Sequence, residues 1–227
     1  MMETIRTNPT KIATKKFYDF VFDDHVKYNS IVVCGHTHNK MSGDYFINSG
    51  SWGQFRDFVE LNDGKTLVIS DLHIGDTNMS NIDIMPIELE SLIFNQKYTE
   101  IILLGDVIDL WVTNGATFNK DYKWFVDLIG NVSKYKTVIW YIGNHDYDLQ
   151  KYPNITLYLG DVNISYFGAK VYNNIRYYFN HGQDYDINSR SWPIKLFYYI
   201  WTPLGDNLWY IGKRLKGWAL GINKKVK

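Results

Sequence analysis

Apolar and polar positions follow two rhythms along this chain. The first is a series of short apolar runs: Ile31-Val32-Val33-Cys34, Thr66-Leu67-Val68-Ile69-Ser70, Ile101 to Leu104 and Thr137 to Ile142. Each stops abruptly at a turn residue, which predicts buried strands. Tyr45 to Asn48 and Phe58 to Leu61 predict two more, and Asn62-Asp63-Gly64-Lys65 has the chemistry of a hairpin turn. After Pro153, the segments Ile155–Leu159, Val162–Tyr166 and Ile175–Phe179 also read as strands. The second rhythm is helical. It covers residues 10–27 (Ile12, Phe17, Phe20 and Val21 on one face), 86–97 with Pro86 in its first turn, and 120–133. Alternating strands, loops and helices predict an α/β fold, whose site lies at the carboxyl ends of the strands.

The residues that follow the strands carry the chemistry. They are Gly35-His36-Thr37-His38, Asp71-Leu72-His73, Gly105-Asp106-Val107-Ile108-Asp109, Gly143-Asn144-His145-Asp146 and His181-Gly182. Taken singly each is weak. A lone histidine after a strand is usually packed or solvated. In Asp-X-His, residues i and i+2 share a side only while the backbone stays extended. Gly-Asp pairs are ordinary turn formers. Together they are harder to explain that way, because all of the chain's six histidines except His25 fall in these motifs.

Composition narrows the reading. Apolar residues make up 45% and charged residues 21%, which excludes a disordered polyelectrolyte. The 227 residues suffice for one sizeable core, and the motifs span most of them, so a single domain over 1–227 is expected. Formal net charge is zero, so no global excess draws the chain to a polyanion. The one cysteine, Cys34, cannot form an internal disulfide and lies in an apolar run. No apolar stretch has the length of a signal peptide core or a membrane span, which makes the cytoplasm the expected location.

Asp71, His73, Asp106, Asn144, His181, His36 and His38 form a mixed carboxylate, imidazole and amide set. Such donors suit a borderline divalent metal: manganese is the expected ion, with Fe, Zn, Co or Ni as alternatives. The set exceeds what one ion needs and fits two ions sharing a carboxylate. Two such ions would polarise phosphate oxygens and lower the pKa of a bridging water, giving a hydroxide nucleophile near neutral pH. His145 is the candidate acid for the leaving oxygen, with Asp146 or another carboxylate holding its ring.

As a set the five motifs resemble the calcineurin-like metallophosphoesterase superfamily, over residues 35–182. The resemblance implies an α/β fold of two mixed β-sheets, sandwiched and flanked by helices. It implies that Asp71, His73 and His38 hold a first metal, that Asp106 bridges, and that Asn144, His181 and His36 hold a second. His145 would contact the scissile phosphate, with Asp109 and Asp146 behind the ligands. The order departs from the family: the Gly-His-X-His segment, normally last, comes first here. Tyr45 to Trp52 resembles what ordinarily follows that segment, and Asp63-Gly64 leads straight into the usual first strand. The chain therefore reads as circularly permuted. Alternatively, this segment completes the site of a swapped partner in a homodimer.

Within the superfamily the chain looks most like UDP-2,3-diacylglucosamine pyrophosphatases, which place a helical cap after the His-Gly. Those enzymes often carry Arg where this chain has His145. Residues 187–227 hold Trp192, Trp201, Trp209 and Trp218 among eight Lys and Arg and one acid, Asp206. They are expected to form a helical cap or lid, with peripheral membrane contact as one role and a nucleic-acid groove as a weaker one. Arg56 and Arg190 are candidate phosphate contacts, and Gln183 and Asp184 could border the pocket. The expected activity is hydrolysis of a phosphate ester or pyrophosphate, such as a lipid-linked nucleotide diphosphate. A nuclease or nucleotide phosphodiesterase is the alternative. A non-catalytic scaffold would show eroded ligands, and none is missing.

Overall fold

The computed structural model describes residues 9–75, 85–110, 123–152 and 159–185. The strand expected at 155–159 lies almost wholly outside them, as do residues 120–122 of the third helix, Arg190 and the cap expected at 187–227. The described residues belong to one compact unit, residues 1–187. Among them no helix is long and apolar enough to cross a membrane.

The chain opens with α1 (Pro9–Tyr28) and enters β1 (Ile31–Cys34). Next come β2 (Met41–Ser42), β3 (Phe46–Asn48), a single-turn helix α2 (Trp52–Phe55), β4 (Val59–Leu61) and β5 (Thr66–Ile69). Then follow α3 (Met85–Ile93), β6 (Glu100–Leu104), α4 (Lys123–Val132), β7 (Thr137–Tyr141), β8 (Asn163–Ser165), β9 (Phe167–Tyr172) and β10 (Ile175–Asn180). They build two five-stranded sheets, ordered β2-β3-β1-β10-β9 and β4-β5-β6-β7-β8. Both are mixed. In the first, β1 runs parallel to β3 and β10, with the antiparallel pairs β2/β3 and β9/β10 outside. In the second, β5 to β8 are parallel and β4 is antiparallel at the edge. This is the two-sheet architecture expected.

The continuous apolar runs are explained by burial on both faces. Side chains alternate along each strand. Val33 and Phe179 of the first sheet meet Val68, Ile102, Leu104, Ile139 and Tyr141 of the second between the sheets. The intervening residues face outward. Val32, Cys34 and Tyr178 pack against Phe17 and Val21 of α1. Leu67, Ile69, Ile101, Leu103 and Trp140 pack against Leu89 and Ile93 of α3 and Phe125 and Ile129 of α4. Each such Leu or Ile contributes about 1.5–3 kcal/mol by leaving water. Cys34 is a buried, free thiol, as its apolar run predicts.

Two differences from the expected elements have local causes. The helix expected to run to residue 97 ends at Ile93. Asn95 stops it: its side-chain oxygen accepts from Lys97 N at 3.1 Å, and its carbonyl accepts from Tyr98 N at 3.1 Å. That turn drops Tyr98 into the core. Strand β9 has no counterpart among the expected elements, because its outward residues Phe167 and Val171 are exposed apolar side chains that blur the alternation. It turns into β10 through Asn173 and Asn174, whose φ of 51° and 64° suit a tight hairpin.

Candidate metal centre

Parallel pairing puts the carboxyl ends of β1 and β10, and of β5, β6 and β7, at the same end of their sheets. The loops leaving these five strands are laced together. Gly35 N donates to His181 O at 2.9 Å, Asp71 N to Gly105 O at 3.1 Å, and His73 N to Asp106 O at 2.9 Å. The carboxylates join in: Asp71 Oδ2 accepts from His36 N at 3.1 Å and Asp106 Oδ1 from His145 N at 2.8 Å.

The local backbone is unusual. His36, His38, Asp71, His73 and Asp106 all have positive φ, between 49° and 64°. Non-glycine residues seldom adopt this region, and each instance costs roughly 1–3 kcal/mol. Five of the seven expected ligands share it. Crowding sets the neighbouring glycines. A Cβ on Gly143 would lie 2.2 Å from Asp106 Oδ1 and 2.4 Å from Asp106 N. One on Gly105 would lie 2.3 Å from the His181 ring. Side chains there would push the carboxylate and the imidazole out of place.

The side chains converge. Asp71 Oδ1 lies 3.1 Å from His38 Nε2 and 3.9 Å from both His73 Nε2 and His181 Nε2. Asp106 Oδ2 lies 3.1 Å from His181 Nε2 and 3.9 Å from His145 Nε2. Among the described residues, three groups have donor atoms close enough to hold an ion: His38, Asp71 and His73; His36, Asp106 and His181; and His73, Asp106 and His145. Asp106 belongs to two of them, as a shared carboxylate would. Asn144 Oδ1 is buried without a hydrogen bond among the described residues. It is the kind of orphaned oxygen that a cation satisfies. Six of the seven expected ligands thus fall in the first two groups, and Asn144 sits in the loop after β7.

The electrostatics fit a cation. Burial would raise Asp106, but His181, His145 and His73 hold it well below the usual carboxylate range. Burial would likewise raise Asp71, and His181 and His38 depress it. Burial would lower His181, yet Asp106 and Asp71 lift it to about 10. Carboxylates this buried demand compensating positive charge. Protons on the imidazoles supply it, or a divalent ion does, and the latter leaves the rings neutral as ligands. The donor set and its geometry fit one or two such ions.

Behind these groups lie the residues that aim them. His181 Nδ1–H donates to Leu104 O at 2.8 Å, which points Nε2 at Asp106. Asp109 Oδ2 lies 3.4 Å from His73 Nδ1 and 3.0 Å from His145 Nδ1. Burial would raise Asp109, but His145 and His73 bring it down to about 2. Burial would lower His145, while Asp109 and Asp106 raise it. The carboxylate that holds the His145 ring is therefore Asp109. Asp146 instead accepts from Val107 N at 3.0 Å, Trp140 Nε1 at 2.9 Å and Gly143 N, tying the loop after β7 to the loop after β6. Burial and the nearby Asp106 carboxylate push Asp146 up to about 6, against these donors.

A further group had no role assigned from sequence. Asn48, Ser49 and Ser51 are fully buried. Asn48 Nδ2 donates to Gly35 O at 3.0 Å and Thr37 Oγ1 at 2.8 Å, and Ser51 Oγ donates to Asp71 O at 3.0 Å. Ser49 and Ser70 hydroxyls meet at 2.7 Å. This polar run, from the last residue of β3 onward, fixes the loops that carry His36, His38 and Asp71. Its sequence signals are a run of small polar residues in a strand–loop position and the family resemblance of Tyr45 to Trp52. Arg56, offered as a phosphate contact, caps α2: its guanidinium bonds Glu88, Trp52 O and Gly53 O. None of these partners belongs to the three groups. Gln183 and Asp184 lie in a single turn just after Gly182.

A family model described as calcineurin-like phosphoesterase matches residues 64–216. The span holds Asp71, His73, Asp106, Asn144, His145 and His181, while His36 and His38 precede it. No curated protein matches. A solved structure, the Pseudomonas putida nuclease MPE, is similar at 21% identity with a TM-score of 0.34, over 47% of this chain and 50% of that one. The likeness thus spans half the length of that protein. The family match covers more than half of the chain and holds four of the five strand-end motifs that the fold gathers at one rim, so the chain belongs to the calcineurin-like phosphoesterase family.

Proposed function

We propose that this chain hydrolyses phosphate esters or pyrophosphates using two divalent cations, of which manganese suits the donors. The observation that carries the reading is the membership of Asp106 in two His-Asp groups, with a third group, around Asp71, sharing His73. His38, Asp71 and His73 would hold one ion, and His36, Asn144 and His181 the other, with Asp106 common to both. Bound there, the ions supply charge neutralisation of a phosphoryl group and acidify water. His145 is the proton donor to the leaving oxygen. Its Nδ1 faces Asp109, which leaves Nε2 on the side of Asp106. Asp109 orients and charges it.

For the substrate we propose a lipid-linked nucleotide diphosphate of the UDP-2,3-diacylglucosamine kind. Its support is the likeness of the sequence to that subgroup and the Trp-rich basic stretch at 187–227. We further propose that the chain is a circular permutation of the family order. Two observations support it. The family match starts at residue 64 and omits His36 and His38. Strand β1 nevertheless lies between β3 and β10 of its own chain, and α1, which precedes it, covers that sheet as a crossover helix would.

The test is hydrolysis of bis(p-nitrophenyl) phosphate, UDP-2,3-diacylglucosamine and a short single-stranded DNA, with Mn²⁺ or chelator, and with Asp106→Ala as control. Mn-dependent cleavage of the diphosphate supports the full reading. Cleavage of DNA alone keeps the chemistry and rejects the lipid substrate. Cleavage of none by metal-loaded protein rejects the hydrolytic reading.

A further inference from the structure

Each imidazole in a metal centre needs its second ring nitrogen held, because the tautomer decides which nitrogen offers a lone pair. His181 has Leu104 O and His73 has Asp109. His38 is the partly exposed ligand of its group, at 24% side-chain exposure, so its ring has the least packing to fix it. Its Nδ1 lies 3.3 Å from Gln54 Oε1. An amide oxygen only accepts, so this contact places the proton on Nδ1. Nε2 then keeps its lone pair for a cation shared with Asp71 Oδ1, 3.1 Å away, and His73 Nε2, 3.4 Å away.

The platform under Gln54 is built for position. It lies in α2, a single turn far too short to be stable alone. The turn is bolted to the loop that bears the other ligands of the same group: Trp52 N donates to Ser70 O at 3.0 Å and Gly53 N to Asp71 O at 3.1 Å. The contact is so close that a Cβ on Gly53 would lie 2.6 Å from Leu72 O. Ser51 caps the turn through Gln54 N at 3.3 Å and also donates to Asp71 O. One rigid unit therefore ties Gln54 to Asp71.

We infer that Gln54 is a positioning residue for the metal site of His38, Asp71 and His73, setting the tautomer and ring angle of His38. The inference rests on the dinuclear reading above. It assigns a metal-affinity role to an exposed amide outside all five motifs.

The test is Mn²⁺ titration of the full chain by calorimetry, with chelator competition, for wild type, Gln54→Leu and Gln54→Glu. Gln54 is exposed, and unchanged circular dichroism and melting temperature of the apo variants verify folding. Gln54→Leu is expected to weaken one of two binding events by about tenfold or more, leaving the other within about twofold. Gln54→Glu restores an acceptor and is expected to match or exceed wild-type affinity at that site. Equal weakening by both variants, or no weakening in Gln54→Leu beside a wild type that binds two ions, overturns this inference alone. A wild type that takes up no metal overturns it together with the reading beneath it.

Discussion

Asp109 Oδ2 stands 3.0 Å from His145 Nδ1, joining residues from the loops after two different strands. The backbone repeats the link, with Leu110 N donating to His145 O at 3.1 Å. Asp109 thus holds the ring of the proposed acid and favours its cationic form. Asp109→Asn keeps the shape and removes the charge. It is expected to lower kcat on bis(p-nitrophenyl) phosphate by roughly 10–100-fold. His145→Gln is expected to cost at least as much, and the double variant little more than His145→Gln alone, since the two act as a unit. Fully multiplicative losses would show that Asp109 acts elsewhere.

Gly143 is where the loop after β7 presses on Asp106. Gly143→Ala forces a methyl group against the Asp106 backbone nitrogen, and backbone cannot swing aside as a side-chain tip can. The expected cost is about 1–3 kcal/mol of stability together with weaker metal uptake. Melting curves with and without Mn²⁺ read both. A variant that melts and binds like wild type would mean that the two loops are not in this contact.

Asp146 tests the structural half of its motif. Its carboxylate accepts three N–H donors that are otherwise buried. Asp146→Leu strands them and is expected to destabilise the fold by about 3–5 kcal/mol in urea unfolding. A loss under about 1 kcal/mol would contradict the clamp.

Backbone strain and clustered carboxylates at the rim imply that a bound cation stabilises the folded chain. Adding Mn²⁺ to metal-stripped protein is expected to raise the melting temperature in a concentration-dependent way. Asp106→Asn should blunt that rise. An unchanged wild-type melting temperature at millimolar Mn²⁺ would exclude binding at this centre.

Much of this was legible in the sequence. The apolar runs ending at Gly35, Ser70, Gly105 and Gly143 marked four of the five strand ends, because strands covered on both faces cannot tolerate polar interruptions. The histidine and aspartate motifs followed directly. Three things were not legible. The left-handed backbone at His36, His38, Asp71, His73 and Asp106 has no signature in residue type, since it is imposed by the packing of five loops. The choice between Asp109 and Asp146 as partner of His145 depends on which way each carboxylate turns, and neighbours in sequence diverge in space. The work of Asn48, Ser49 and Ser51 was hidden because small polar residues after a strand usually mean a solvated turn, whereas here they are buried between loops.

The central claim is a two-ion centre assembled from five strand ends, with Asp106 shared. The measurement that tests it most directly is metal content per chain. Wild-type and Asp106→Ala proteins would be loaded with Mn²⁺, desalted and analysed by elemental mass spectrometry, with folding checked by circular dichroism. Two ions per wild-type chain, with at least one lost from folded Asp106→Ala, is the expected result. Wild-type protein that retains no ion, or an Asp106→Ala protein that still holds two, would contradict the account.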